Sequence, residues 1–480
     1  MATQREPKLI QLLKPLSQVQ MEAFVSFARS PYFNTSEILS RLVETLALLH
    51  PFDMIPSDED IWQSIQPGAT YRYATLRNWY SDVVALAMSF LAIERIRSQT
   101  DLLTTYQVSA LRNMRVFPQF EKLLKSSLED IRGRAVRDDA TLELEWSMLE
   151  EKSLFETYVT PGTERSILQD ELNVLVEMSI ARLLRQLTLM VHEQYQHGVD
   201  FSLHLSMEIV EFLQRNPHFR KNACIDVNAA VLELSAAPSP NALATLRTLV
   251  KQRIHELPFV DGYMAFTHLA DHCMHQINME GDDRYYSEAL VGIQTQIELK
   301  FLGKPNLLYP DYIFLVRMAV NAGEVRYARA FMADYAEALM PSVREHVMEL
   351  CEAVIAQYEG RPLDALGSLQ RVSINQPLFK LMVRVYTIEN LIQLGRWDDV
   401  RTAVDALRHL GFKPGAISVR HAAMMEELVR IAPRIATVAE TDNDARRADR
   451  VRQALEAINA MPNNVFGVRN WLRSYVESIS

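Results

Sequence analysis

Three histidines and a cysteine lie close together in the second half of the chain, at His268, His272, Cys273 and His275. The histidines follow one another at i, i+4 and i+7, so a helix would place all three imidazoles on one face. Zinc is often held by histidine pairs with this spacing, together with a ligand from another segment. Because no cysteine-rich segment could supply that ligand, a metal-dependent enzyme is only the second alternative, and we expect no metal site.

Other motifs of catalysis are incomplete or missing. His192-Glu193 precedes His197, but a spacing of five residues turns two helical side chains about 140° apart, which excludes the zincin arrangement. Residues 442–444 have the sequence Asp-Asn-Asp without the later glycine and glutamate of a calcium loop. The sequence contains no glycine-rich phosphate loop and no nucleophile elbow. We therefore predict no catalytic residue and no cofactor, which argues against an enzyme.

Composition and periodicity indicate the elements that carry these side chains. Glycine accounts for 15 of 480 residues, about half the usual share of roughly 7%, whereas β-rich folds need many turn glycines. Apolar residues recur at i, i+3, i+4 and i+7 in nearly every window. Ser17 and Gln20 form a capping-box pattern ahead of one such segment. The sequence predicts an all-α fold with a helix content of at least about two thirds.

Charge and cysteine usage restrict the environment and the partners. The net charge of −10 argues against non-specific binding to nucleic acid or to an anionic membrane. The three cysteines are widely spaced, which fits neither a disulfide framework nor a cysteine-pair zinc site. The longest apolar stretch, residues 83–93, is shorter than the roughly 18 residues of a spanning helix. We expect a cytoplasmic protein that does not enter a membrane.

The last 220 residues contain eleven of the 15 glycines, and three of them punctuate similar segments. Gly323, Gly360 and Gly395 are spaced by 37 and 35 residues. Five residues after each glycine stands a small residue, and four after that a large apolar one. These pairs are Ala328 with Met332, Ala365 with Leu369, and Val400 with Val404. A glycine permits a tight turn and a small residue permits close helix packing, so the pattern predicts helical hairpins.

This pattern resembles the tetratricopeptide repeat over residues 260–412, with a degenerate further unit around Gly281 and with Pro341 and Pro377 closing the first two units. The resemblance implies a solenoid of α-α hairpins that presents a groove. The chain also looks similar to uncharacterised all-helical proteins of the Bacteroidota. The residues that carry this second similarity are Ser30-Pro31-Tyr32-Phe33-Asn34, Pro67-Gly68, Leu76-Arg77-Asn78, Ser81-Asp82, Cys273, Ile277-Asn278, Gly281 and Trp471-Leu472.

The first helix of each tetratricopeptide unit lines the concave groove, so the resemblance predicts a partner site on three helices. The candidate groove residues are Arg317, Asn321, Gln357, Tyr358, Glu389 and Gln393. Such polar side chains can hold an extended or helical peptide through hydrogen bonds. They can equally be the solvated side of amphipathic helices.

A segment near the N-terminus suggests a different function. Residues 58–97 contain Asp60-Ile61-Trp62, Pro67-Gly68 and Ser81-Asp82-Val83, and they look similar to a winged-helix segment of bacterial transcription activators. A DNA-reading helix normally sits in a basic field, whereas Arg72 and Arg77 are balanced here by nearby acids. A DNA-binding regulator is therefore the first alternative.

The sequence predicts four segments. An irregular N-terminal helical domain spans 1–97, a region of long helices spans 98–259, the repeats span 260–412, and helices in 413–480 cap the array. The cap would use an apolar stripe of Val468, Trp471, Leu472 and Tyr475. The function that these features favour is a non-catalytic interaction scaffold for an unknown protein or peptide.

Overall fold

The structure, a computed structural model, describes residues 8–159, 166–304, 307–413 and 415–480. These residues form 23 α-helices and no strand, and the protein is 78% helical. The predicted all-α fold is confirmed, and the helix content exceeds the expected two thirds. The helices are α1 (Lys8–Leu13), α2 (Gln18–Arg29), α3 (Glu37–Leu48), α4 (Asp58–Ile65), α5 (Tyr73–Arg97), α6 (Thr100–Asn113), α7 (Phe117–Gly133), α8 (Asp139–Val159), α9 (Ile167–His197), α10 (Ser206–Arg215), α11 (Ala223–Ala236), α12 (Pro240–Arg253), α13 (Phe259–His275), α14 (Tyr285–Glu298), α15 (Tyr309–Asn321), α16 (Val325–Tyr335), α17 (Pro341–Tyr358), α18 (Pro362–Arg371), α19 (Pro377–Gln393), α20 (Trp397–Arg408), α21 (Val419–Ala439), α22 (Asp444–Asn459) and α23 (Val468–Ser478).

The described residues divide into two compact units. The first lies within Met1–Arg132 and Ser147–Ile167, and the second comprises Gly133–Trp146 and Leu168–Ser480. The division into four segments that the sequence suggests is finer than this one and stays a prediction.

In the first unit, α1–α5 enclose an apolar core. Its fully buried side chains include Leu13, Met21, Phe24, Leu42, Leu46, Ile65 and Leu76. The Ser17 hydroxyl accepts a hydrogen bond from the backbone N–H of Gln20 (3.2 Å), and the Gln20 side chain accepts one from the N–H of Ser17 (2.8 Å). This reciprocal pair begins α2 and confirms the predicted capping box.

In the second unit, the predicted hairpins are α15 with α16, α17 with α18, and α19 with α20. The turn glycines Gly323, Gly360 and Gly395 have φ angles of +84°, +71° and +66°, a region that side chains with a Cβ avoid. The two prolines expected to close the units are the first residues of α17 and α19. Proline is tolerated at a first helical position because that N–H lacks an intrahelical partner in any case.

The first helices of these hairpins form a continuous layer. Helix α15 contacts α17, α17 contacts α19, α19 contacts α21, and α21 contacts α23. The second helices, α16, α18 and α20, contact their own hairpin partners, and α18 and α20 also contact the helix that follows. This two-layer order is what stacked helical hairpins produce. The finer description as a tetratricopeptide-like solenoid stays a prediction.

The C-terminal segment of the same unit returns to the end of α13. A π-helical turn over residues 276–280 continues α13, and Gly281 ends it with a φ of +74°. The last carbonyl groups of a helix lack partners within the helix. Here they accept hydrogen bonds from the C-terminal segment, at Ile277 from the Asn464 side chain, Asn278 from the Asn464 backbone, Met279 from Arg469, and Gly281 from Asn470. These bonds fasten the start of α23 and the segment before it to the end of α13.

We expect Ala365→Leu to destabilise the second unit by about 1–3 kcal/mol, because Ala365 is fully buried in α18 and extra methyl groups overpack a dense interior. Chemical denaturation measures this difference. Ala333→Leu, at an exposed position of α16, is the matched control and should change stability by a few tenths of a kcal/mol. Equal stability of the two variants would show that the hairpin register is misassigned.

Candidate functional site

The six predicted groove residues occupy two kinds of position. Arg317 and Glu389 stand six residues before the turn glycines of their hairpins, and they are buried, with 8% and 2% of their surface exposed. Asn321, Tyr358 and Gln393 stand two residues before their glycines and are exposed, whereas Gln357 is half-buried. The expectation of one solvated stripe is therefore corrected, because the layer of first helices covers the two charged side chains.

The buried members join a hydrogen-bonded network across α15, α17 and α19. Nε of Arg317 donates to the Tyr386 hydroxyl at 3.0 Å. Nε2 of Gln357 donates to Glu389 at 2.7 Å, and Nδ2 of Asn390 donates to Oε1 of Gln357 at 2.9 Å. Buried polar groups cost free energy unless they are hydrogen-bonded, so this network contributes to the register between the three helices.

Glu389 is the acid of this network. Burial raises its pKa to about 8, and the Gln357 hydrogen bond and the charge of Arg317 oppose that rise only in part. The carboxyl group is therefore largely protonated at neutral pH.

Stability should fall as pH rises through the pKa of Glu389. The folded protein holds the Glu389 proton between the ordinary glutamate pKa near 4.5 and a pKa of about 8, whereas the unfolded chain releases it. This stabilisation is complete below pH 4.5 and lost above pH 8. Glu389→Gln mimics the protonated acid, so its melting temperature should fall less than that of the wild type between pH 6 and pH 9. Parallel curves for the two proteins would contradict the assignment.

The exposed members form a row at equivalent positions of three successive hairpins. Tyr358 is 52% exposed, and Asn321 and Gln393 are exposed on either side of it in the order of the hairpins. Each side chain stands at the end of a first helix, directly before the turn. We call Asn321, Tyr358 and Gln393 the turn row.

A cavity of about 310 Å³ lies next to the buried network in the second unit. Side chains of α9, α13, α14, α15 and α21 line it, together with Val465 and Phe466 of the C-terminal segment. Its polar lining includes Asp271, Gln296, Asp311, Arg317, Arg420 and His421. Ligand pockets have volumes of roughly 300–1,000 Å³, so this cavity can take a small molecule.

Arg317 and a neutral imidazole flank the Phe466 ring in the lining of the cavity, and Arg420 acts electrostatically on the same imidazole. The guanidinium of Arg317 lies over the ring of Phe466 at 5.3 Å. The ring of Phe466 also lies 5.3 Å from that of His421. Burial, together with the charges of Arg317 and Arg420, lowers the pKa of His421 to about 4. The Ser418 hydroxyl lies 2.6 Å from Nδ1 of His421. This part of the cavity lining therefore carries positive charge.

Asp271, at another part of the lining, is already paired. Its carboxylate accepts a hydrogen bond from Nε2 of Gln196 at 2.7 Å and lies 2.6 Å from Nδ1 of His192. The hydrogen bond to Asp271 raises the pKa of His192. These contacts satisfy the carboxylate within the protein.

The candidate zinc ligands do not converge. The nearest aromatic partners are His192 for His268, Tyr285 for His272 and Tyr195 for His275. His268 and His275 thus face α9, whereas His272 faces α14. Among the described residues, no group of three or more His, Cys, Asp or Glu side chains is placed to hold a metal ion. The shared helical face is present, but its rings pack against different neighbours.

The winged-helix expectation for residues 58–97 is not matched by their conformation. This segment is wholly described and contains α4, a turn and α5 without any strand, so it lacks the β-wing. Trp62 stacks on Trp79 with ring centroids 4.9 Å apart, and the Tyr80 hydroxyl donates to Asp58 at 3.0 Å. These aromatic residues hold α4 against α5.

Sequence reasoning missed Asn464 and Phe466, because their partners lie far away in the chain. The bond from Asn464 to Ile277 spans 187 positions. In the apolar stripe of the predicted cap, Val468 and Leu472 are buried in the core beside α21, whereas Trp471 and Tyr475 are half-buried. The polar residues Arg469 and Asn470, which lie between Val468 and Leu472, bond to the end of α13 and were the sequence feature that indicated this contact.

No helix in the described ranges is long and apolar enough to cross a membrane. Comparison with protein-family models, with curated proteins and with solved structures finds no match for this chain. Both family resemblances therefore stay predictions, and the function must be argued from the geometry.

Proposed function

We propose that the chain is a non-catalytic interaction scaffold that holds an extended peptide segment of a partner protein along the turn row. The observation that carries the proposal is the exposure of Asn321, Tyr358 and Gln393 at equivalent positions of three stacked hairpins. A repeated exposed position in a stacked array gives a regular line of contacts, which is how repeat proteins hold extended partners.

The spacing of the turn row suits an extended chain. Packed helices lie about 8–10 Å apart, and an extended chain advances about 3.3 Å per residue. Each hairpin therefore corresponds to about three partner residues. The carboxamides of Asn321 and Gln393 can both donate to and accept from a peptide backbone, and Tyr358 offers an aromatic surface with a polar tip. The partner segment we expect is extended, about seven to nine residues long and poor in proline.

The cellular setting is part of the same proposal. The three cysteines, Cys224, Cys273 and Cys351, are free and buried, and unpaired cysteines suit a reducing compartment. We therefore place the scaffold in the cytoplasm. The resemblance to tetratricopeptide arrays supports a scaffold in preference to a DNA-binding regulator or a metal-dependent enzyme.

We expect the triple variant Asn321→Ala, Tyr358→Ala, Gln393→Ala to lose partner capture while keeping its melting temperature, since all three side chains are exposed. Pull-down from the native cell extract with quantitative mass spectrometry measures capture. The matched control replaces exposed polar residues of the second helices, Arg326, Gln370 and Thr402, by alanine. If the turn-row variant retains the same partners as the control, the proposed surface is not the binding site.

A further inference from the structure

The guanidinium of Arg317 is a buried cation whose charge has no carboxylate partner. Its Nε donates to Tyr386, and the ring of Phe466 lies beside it. Among the described residues, no carboxylate lies within ion-pair distance of it, and no hydrogen bond from its two terminal nitrogens is found. Arg317 is one of the residues that line the cavity. Burying a charge costs free energy unless the charge is paired, so a bound anion would stabilise this cation.

The acid nearest in the network does not supply that charge. Glu389 is held by Gln357 at 2.7 Å, and its pKa of about 8 leaves it largely protonated at neutral pH. Ser418, Arg420 and His421 also line the cavity. They add two neutral polar groups and a second cation, whose guanidinium donates to the Tyr195 carbonyl at 2.9 Å. A ligand with one negative group would complete this part of the lining.

We propose that the cavity binds a small organic monocarboxylate, whose carboxylate pairs with Arg317 and whose apolar body lies along α15. The guanidinium presents a planar pair of N–H donors that matches a carboxylate. Phe314, Ile293 and Leu302 form apolar lining beyond it. The site is separate from the turn row, and it does not depend on the scaffold function.

The far end of the cavity gives selectivity. Asp311 stands six residues before Arg317 on α15, about 9 Å along the helix axis. Its carboxyl group is half-buried, and burial raises its pKa. A second negative group on the ligand would approach this acid in a poorly hydrated space. The cavity therefore favours monocarboxylates over dicarboxylates of the same length. A larger groove of about 770 Å³ at α18–α20 offers no comparable site, because its cations Lys380, Arg384 and Arg396 are exposed.

Calorimetric titration of the full chain tests the proposal with three probes of one shape. They are 3-phenylpropionate, its neutral amide, and 3-(4-carboxyphenyl)propionate, with inorganic phosphate as a fourth. We expect 3-phenylpropionate to bind at least about tenfold more tightly than the amide, as a charge-assisted hydrogen bond requires. The dicarboxylate should bind more weakly than the monocarboxylate. An amide that binds equally well overturns the anion site, and phosphate that binds more tightly than the monocarboxylate overturns the ligand class.

Two variants identify the groups. Arg317→Gln should weaken binding of 3-phenylpropionate at least about tenfold, and unchanged affinity would overturn the assignment to Arg317. Asp311→Asn should raise the affinity for the dicarboxylate relative to the monocarboxylate, and an unchanged ratio would overturn the selectivity argument. If Arg317→Gln does not fold, the series of probes on the wild-type protein and on Asp311→Asn still shows whether the cavity binds a monocarboxylate.

Discussion

Replacing Asn464 by alanine is expected to destabilise the second unit by about 1.5–4.5 kcal/mol. The Asn464 side chain is fully buried, and it both donates to the Ile277 carbonyl at 3.1 Å and accepts from the Asn470 backbone at 3.0 Å. The alanine variant leaves the Asn470 N–H without this partner, which costs about 1–3 kcal/mol. The Ile277 carbonyl keeps the N–H of Gly281 at 3.2 Å, so the loss of its second hydrogen bond costs about 0.5–1.5 kcal/mol.

Urea denaturation followed by circular dichroism measures this loss. Asn459→Ala is the matched control, because Asn459 is exposed at the end of α22, and it should stay within about 0.5 kcal/mol of the wild type. Similar curves for Asn464→Ala and the control would mean that the C-terminal segment does not hold the end of α13 in solution.

Acid should unfold the second unit as pH falls from about 6.5 to about 4. His268 and His272 are buried, neither ring nitrogen of either residue hydrogen-bonds to a described residue, and burial lowers both pKa values to about 4. In the unfolded chain the two histidines take up protons near pH 6.5, whereas in the folded protein they stay neutral until the pH is close to 4. The stabilisation is complete above pH 6.5 and is lost as pH falls through 4. Two such groups amount to several kcal/mol in order of magnitude.

The double variant His268→Leu, His272→Leu isolates this effect. It removes these two groups and their unpaired nitrogens, whereas His421 and Glu389 still titrate. Its stability should therefore fall less than that of the wild type between pH 7 and pH 4.5. His255→Leu, at an exposed position, should keep the acid sensitivity. An equal loss of stability in the wild type and the double variant over this range would show that the two histidines are hydrated.

Local signals in the sequence predicted most of the architecture. The capping box at Ser17 and the turn glycines at Gly323, Gly360 and Gly395 depend on neighbours within a few residues, and all four features are present in the structure. Ala328 and Ala365, expected at helix contacts, are fully buried. Helix ends and turns are therefore accessible to sequence reasoning, because their physics is local.

The candidate site depended on burial, which one helix alone does not reveal. The repeat register places Arg317 and Glu389 on an accessible face, either in a partner groove or on the solvated side of the helices. The residues around Arg317, however, are apolar on every side of α15, with Val316, Met318 and Ala319 all fully buried. Apolar residues on every side of a helical position indicate burial, so a charge placed among them is buried as well. That signal was present in the sequence.

The return of the C-terminal segment to α13 also constrains the order of events during synthesis. The carbonyls that end α13 bond to residues made 187 positions later. At about 5–20 residues per second, a ribosome needs roughly 10–40 s to make that stretch. Throughout this interval the end of α13 has emerged while its final partners have not been made. During synthesis the end of α13 therefore lacks its C-terminal partners, and a chaperone or an early ligand can reach surfaces there that the finished protein covers.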